Sequence, residues 1–124
     1  MKLRGRTRSA GNPIMEEIRR MAEIRELNAA NYDETVKSGV VLVDFWAPWC
    51  NPCRMLGTIL EQVAKEAPED VVIGKVNIDD NKDLAVRFEV MNIPRIFIYK
   101  DGEIVKDFSG VQSKPKLLDA LKNA

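Results

Sequence analysis

Both cysteines of the chain lie in one short segment, Trp49-Cys50-Asn51-Pro52-Cys53. The segment follows an apolar run at residues 40–46, interrupted by Asp44, and precedes a helical pattern of apolar residues. A thiolate attacks a disulfide, so a disulfide-reducing chain needs one cysteine with a lowered pKa and a second to resolve the mixed disulfide. A Cys-x-x-Cys pair between a buried strand and a helix start suits this chemistry.

The predicted helix gives the two cysteines different roles. Free backbone N–H groups and the positive end of the helix dipole favour negative charge on Cys50. Cys53 lies on the same helix face, within disulfide reach and one turn deeper. Pro52 fixes one φ angle and stiffens the short ring. We therefore predict that Cys50 is the attacking thiol and Cys53 the resolving thiol.

Two other interpretations of the cysteine pair are a zinc half-site and two inert buried thiols. A tetrahedral zinc site needs four ligands, and a chain with two cysteines and no histidine could complete one only as a dimer. The position at a helix start argues against inert cysteines. The absence of histidine also excludes Cys-His pairs and Ser-His-Asp triads. We predict that the chain binds no metal.

Length and composition are those of one globular domain. The chain has 124 residues, of which 45% are hydrophobic and 31% are charged. Nineteen basic residues balance nineteen acidic ones, so no overall charge favours nucleic acid or membrane surfaces. No apolar run is long enough to span a membrane, and no secretory segment follows Met1. We expect a cytoplasmic protein that binds neither nucleic acid nor membranes.

The elements that position the cysteines alternate between strands and helices. An Arg-rich leader at residues 1–11 precedes an extra helix opened by Asn12-Pro13, and we divide the chain into residues 1–23 and a domain at 24–124. Helices are expected after Asn28, Cys50, Asn81 and Ser113. Strands are predicted at residues 24–27, 40–45, 71–78, 95–99 and 103–108, the last two joined by a hairpin at Asp101-Gly102. This order predicts an α/β fold, a central mixed β-sheet flanked by helices.

An ordered set of motifs resembles the thioredoxin family. Residues 43–54 resemble its active-site stretch, and residues 75–79, Ile93-Pro94, residues 100–103 and 109–111 follow in the family's order. The resemblance covers residues 24–124 and implies the thioredoxin fold and a protein-disulfide reductase. It implies no bound cofactor, because electrons arrive from a separate thioredoxin reductase. The expected partners are that reductase and disulfide-containing proteins, and we expect the chain to be a monomer.

The resemblance also implies an acid–base pair beneath the cysteines. Asp44 matches the family's buried carboxylate, which exchanges a proton with Cys53, and Lys75 matches its partner lysine. An aspartate in an apolar strand is costly when charged, so its pKa should be raised toward neutrality, where general acid–base work is efficient. The structural alternatives are an aspartate bonded to backbone amides and a lysine reaching water at a sheet edge.

The remaining implied roles concern substrate docking. Pro94 matches the family's cis-proline, which faces the disulfide, and Trp46 should pack beside the site, where plain core filling is the alternative. Asn51 and Pro52 shape the active site between the cysteines. The apolar docking surface would comprise Trp49, Ile93, Pro94, Gly110 and Val111.

Three residues depart from the family pattern. Asn51 stands where glycine is usual and predicts an altered reduction potential. Gly57-Thr58 replaces Ala-Pro, so the usual helix kink should be absent or softened. Arg95 replaces threonine after the proline and should lower the pKa of Cys50 further. Asn-Pro between the cysteines leaves open a thioredoxin-fold oxidant, an isomerase or a glutaredoxin-like protein, while the intact cysteines argue against a non-catalytic binding module.

Overall fold

A five-stranded mixed sheet forms the centre of the protein. The computed structural model describes residues 13–124. The strand order is β1-β3-β2-β4-β5; β1 and β2 each pair with β3 in parallel, and β2–β4 and β4–β5 are antiparallel. The strands are β1 Glu23–Glu26, β2 Val40–Trp46, β3 Val72–Asn77, β4 Arg95–Lys100 and β5 Glu103–Ser109. The predicted mixed sheet and its hairpin, with Asp101 and Gly102 both at positive φ, are confirmed.

Helices cover both faces of the sheet. On one face, α3 and α5 pack over Leu42, Ile73 and Ile96, and on the other α2 and α4 pack over Val43, Phe45 and Phe97. The helices are α1 Pro13–Arg20, α2 Tyr32–Val36, α3 Asn51–Glu66, α4 Lys82–Arg87 and α5 Lys114–Lys122. This is the predicted arrangement, including the extra helix α1. No helix within residues 13–124 has the length and apolarity needed to span a membrane.

The start of α2 differs from the prediction. Asn28 was expected to cap this helix, but the helix begins at Tyr32, after Asn31. The Asn28 side chain instead accepts hydrogen bonds from the backbone N–H groups of Ala30 and Asn31, at 2.8 and 3.1 Å. It therefore forms a turn before the helix, a role that asparagine fills as readily as capping. The predicted cap Asn12 and the Arg-rich leader lie outside the described residues.

Gly74 allows β3 to lie close to Leu27, which follows β1. A Cβ at position 74 would lie 2.8 Å from Cγ of Leu27, a side chain that is itself buried. We expect Gly74→Ala to lower the free energy of unfolding by about 1–3 kcal/mol, because the core must shift to admit the methyl group. Chemical denaturation measures this difference.

Gly57→Ala is the matched control for that substitution. Its Cβ would meet its nearest atom, Lys75 Nζ, at 3.5 Å, which is ordinary contact, and alanine is the better helix former. We expect this variant to be as stable as the parent or up to about 1 kcal/mol more stable. An unchanged stability of Gly74→Ala would show that Leu27 rearranges without cost.

Candidate active site

The cysteine pair sits at the N-terminus of α3. Cys50 is the N-cap residue, and its Sγ accepts a hydrogen bond from the backbone N–H of Cys53 at 3.2 Å. Asn51 and Pro52 form the exposed first turn of α3. Backbone N–H groups have no helical acceptor in a first turn, so proline, which has no N–H, costs no hydrogen bond there. The two cysteines are joined in a disulfide with their Cα atoms 5.2 Å apart. The residues form the predicted redox-capable ring, with Cys50 6% and Cys53 1% exposed.

Two loop segments lie next to each other, and the first of them approaches Cys50. The carbonyl oxygen of Ile93 lies 4.0 Å from Cys50 Sγ, and the Ile93–Pro94 peptide bond is cis, as expected. The second segment, Gly110-Val111, meets the first through a hydrogen bond of 2.8 Å from the Gly110 N–H to the Pro94 carbonyl. Gly110 has φ +81°, a conformation that glycine adopts freely. The structure thus brings four of the predicted docking residues together.

Trp49 is the most exposed aromatic residue near the cysteines. The residue is 66% exposed, yet the indole Nε1 donates to both carboxylate oxygens of Asp79, at 3.1 and 3.3 Å. Asp79 was not among the predicted site residues. The signal was in the sequence, because β2 and β3 are parallel and the residues that follow them meet at one sheet edge. Asp79 therefore fixes an indole that would otherwise be free to rotate.

Asp44 is buried in β2, two residues before Trp46, which packs against both cysteines. It shares a face of β2 with Leu42 and lies between Val43 and Phe45, which point to the other face, so its side chain points toward α3. Neither of its oxygens accepts a hydrogen bond from the described part of the chain. Burial raises the pKa of Asp44 to about 7, and the positive charge of Lys75 opposes part of that rise. The alternative of an aspartate held by backbone amides is wrong, since no amide of the residues that the structure describes donates to it. The group is poised to take up and release a proton near neutral pH.

Lys75 lies beside Asp44 on the neighbouring strand. The two residues are register partners between β2 and β3, and β3 is an internal strand, so the sheet-edge alternative is wrong. The ammonium group lies 4.9 Å from the centre of the Trp46 ring, a cation–π contact. Gly57 in α3 leaves room for it. Trp46 in turn packs against Cys50 and Cys53, as expected.

Arg95 lies on the other face of the sheet. It is the register partner of Phe45, and its guanidinium group is held by Asp107 at 3.0 Å and by the Ser109 hydroxyl at 2.7 Å. Its charge is therefore largely compensated by a neighbouring carboxylate. The effect of Arg95 on the Cys50 pKa stays a prediction, and this placement argues for a different role.

Comparison with known proteins gives the family. The thioredoxin profile matches residues 23–123. The chain belongs to the thioredoxin family. A thioredoxin from Staphylococcus haemolyticus is 43% identical over 98 residues, covering 79% of this chain and 94% of the relative. A thioredoxin from Staphylococcus saprophyticus is 40% identical over 99 residues, covering 80% and 95%.

A solved thioredoxin structure agrees with the fold. A point mutant of thioredoxin from Halobacterium salinarum superposes with a TM-score of 0.74 at 32% identity, covering 82% of this chain and 89% of that one. The thioredoxin fold predicted from the motifs is confirmed. With the cysteine pair at the family's position, the chain is a thiol–disulfide oxidoreductase. The oxidant, isomerase and glutaredoxin alternatives are not favoured.

Thioredoxins need no bound cofactor; they act on disulfides and are reduced by a thioredoxin reductase. Among the side chains that the structure describes, no group of three or more cysteine, aspartate or glutamate residues could hold a metal ion.

Proposed function

We propose that this chain reduces protein disulfides, with Cys50 as the attacking thiolate and Cys53 as the resolving thiol. The observation that carries the proposal is the position of the Cys50 sulfur at the N-terminus of α3, where the Cys53 N–H points at it from 3.2 Å. The same donor and the helix dipole stabilise a negative charge on that sulfur after reduction. Cys53 is the more deeply buried of the two and is suited to attack from within.

The exchange proceeds in two steps. The Cys50 thiolate attacks one substrate sulfur, forming a mixed disulfide and releasing the other substrate sulfur as a thiolate, which takes up a proton. Cys53 then loses its proton and attacks Cys50 Sγ, releasing the second substrate sulfur and forming the Cys50–Cys53 disulfide. Two electrons have moved to the substrate. A thioredoxin reductase returns two electrons and two protons to the chain.

Asp44 is the proposed base for the second step. Both groups are buried, Cys53 in α3 and Asp44 on the sheet face that α3 covers. A carboxyl with a pKa of about 7 is partly ionised at neutral pH. Such a group accepts a proton efficiently and gives it back when the disulfide is reduced again. Lys75 is proposed to limit the rise of the Asp44 pKa, because its charge favours the carboxylate form.

The substrate is proposed to dock beside the cysteines as an extended segment. Trp49 and Val111 are exposed apolar residues at this surface. Ile93, Pro94 and Gly110 complete it, with the loop backbone beside the sulfur of Cys50. We propose disulfide-containing proteins and a thioredoxin reductase as partners. A cytoplasmic setting and a monomeric state fit a reductant of this kind.

The reduction potential and insulin reduction test the proposed direction of electron flow. We expect the protein to accelerate insulin reduction by dithiothreitol and to have a potential in the thioredoxin range, near about −270 mV. The predicted effect of Asn51 on the reduction potential is measured as the difference in potential between this chain and its Asn51→Gly variant. A potential near about −120 mV, typical of an oxidant, would contradict the proposed direction while leaving thiol–disulfide exchange intact.

A further inference from the structure

Strands β4 and β5 carry the two halves of the docking surface at the same end. Ile93-Pro94 immediately precedes β4, and Gly110-Val111 immediately follows β5. Because the strands are antiparallel, these segments meet, and the hydrogen bond from Gly110 N–H to the Pro94 carbonyl joins them. Arg95 and Ser109 form the cross-strand pair next to this junction. The geometry of the docking surface therefore depends on how firmly this end of the hairpin is held.

The Arg95 side chain bridges the two strands at this end. One guanidinium nitrogen donates to the Ser109 hydroxyl at 2.7 Å, and another lies 3.0 Å from the Asp107 carboxylate. The guanidinium carbon lies 5.3 Å from the centre of the Phe97 ring, so the planar group is held over an aromatic face as well. The Arg95 side chain is 30% exposed. A forked donor can hold two groups of the partner strand at once, which the single hydroxyl of a threonine cannot do.

The segment beyond Ser109 is held by a further side chain. The Gln112 amide donates to the carbonyl oxygens of Ser109 and Gly110, at 2.9 and 3.3 Å. Ser109 is thus tied to Arg95 through its hydroxyl and to Gln112 through its backbone. The segment that carries Val111 is anchored from both sides.

We propose that Arg95 is a positioning residue that clamps the Gly110-Val111 segment against Ile93-Pro94 before a substrate binds. The inference rests on the docking surface of the proposed function. A preordered surface loses less conformational freedom on binding, so the clamp should lower KM for a protein disulfide. It should leave the thiol chemistry unchanged, because Arg95 and Asp44 point to opposite faces of the sheet.

The substitution Arg95→Thr tests the clamp directly. We expect hydrogen exchange of the Gly110 amide to become about three- to fivefold faster. Losing a largely exposed ion pair shifts a local opening equilibrium by little more than that factor. KM for insulin should rise by about the same factor. The rate with a small aromatic disulfide, the reduction potential and the pH dependence of Cys50 alkylation should not change. Arg95→Lys should resemble Arg95→Thr, because lysine keeps the charge and loses the fork.

Arg87→Thr provides a matched control. Arg87 also makes a forked contact with an aspartate, Asp33, at 2.7 and 3.1 Å, and also lies over an aromatic ring, that of Phe88. It belongs to α4 and makes none of the contacts that join β4 to β5. The control loses the same kind of interaction and should leave both Gly110 exchange and KM for insulin unchanged.

Val111→Ser separates failure of the clamp from failure of the docking surface. If Val111→Ser raises KM for insulin but Arg95→Thr alters neither Gly110 exchange nor KM, the clamp is overturned and the proposed function stands. If Gly110 exchange accelerates in Arg95→Thr, but KM for insulin changes in neither Arg95→Thr nor Val111→Ser, the role of this surface in docking is overturned. If Arg95→Lys kept the Gly110 exchange rate and the KM of the parent, the charge of Arg95 would act and its forked contacts would not. A shifted pH dependence of Cys50 alkylation in Arg95→Thr would lead to the same conclusion.

Discussion

Replacing Cys50 with serine is expected to abolish disulfide reduction, with kcat/KM for insulin falling by at least about a thousandfold. A serine hydroxyl stays protonated at neutral pH and cannot form the mixed disulfide, so the whole nucleophilic route is lost. Insulin reduction at pH 7 measures the effect. The one thiol that remains in this variant is that of Cys53, which is 1% exposed and therefore poorly placed to attack a substrate.

The companion variant, Cys53→Ser, separates attack from resolution. With Cys50 intact and no resolving thiol, the mixed disulfide should accumulate and be visible by mass spectrometry as a covalent complex with the substrate. Thermal unfolding of both variants in reducing buffer is the control for folding. Trapping through Cys53 in the Cys50→Ser variant would reverse the proposed order of the two thiols.

The second large effect is expected for Asp44→Asn. In the parent, the rate of resolving the mixed disulfide should rise with pH through about 7, as Asp44 ionises. The amide cannot take a proton, so this inflection should disappear and the rate at pH 7 should fall by about ten- to a hundredfold. Stopped-flow measurement of the resolving step across pH 5–9 gives the profile. An unchanged profile would remove Asp44 from the proton transfer.

The same substitution should change the pH dependence of stability. The pKa of Asp44 is about 7 in the folded chain, whereas an unperturbed aspartate, as in the unfolded chain, has a pKa of 3.8. Between these two pH values the folded state holds a proton that the unfolded state has lost. Stability of the parent therefore falls as pH rises from about 4 to 7 and levels off above. Asp44→Asn should be more stable at pH 8, by up to about 4 kcal/mol, and should match the parent more closely below pH 4.

An exposed aspartate provides the control for this measurement. Asp80→Asn removes the same charge at the surface, where substitutions usually change stability by less than about 0.5 kcal/mol. If Asp80→Asn gave the same pH-dependent gain as Asp44→Asn, the effect would come from net charge and burial would not explain it.

The sequence predicted the features that depend on local patterns. Mostly apolar runs marked β2 and β3, Ser113 capped α5 as expected, and Asp101-Gly102 formed the hairpin turn. The Cys-x-x-Cys pair at a helix start was also visible, because chain spacing alone brings these residues within reach.

The rest depends on contacts between residues far apart in the chain. The bond from Trp49 to Asp79 and the bridge from Arg95 to Asp107 join separate elements, so they follow from the pairing of the strands and from no local pattern. Asn28 was misassigned because an asparagine side chain satisfies a turn and a helix cap equally well, and the packing of Tyr32 settles where α2 begins.

The isolated carboxylate of Asp44 has a consequence for laboratory evolution. A library selected for heat resistance alone would accumulate apolar or amide residues at position 44, because a carboxylate without hydrogen-bond donors is a net burden on the folded state. The selected variants would be more stable but would reduce disulfides slowly. Engineers who want a robust form of this chain therefore need to screen every round for turnover, or to hold position 44 fixed and gain stability elsewhere.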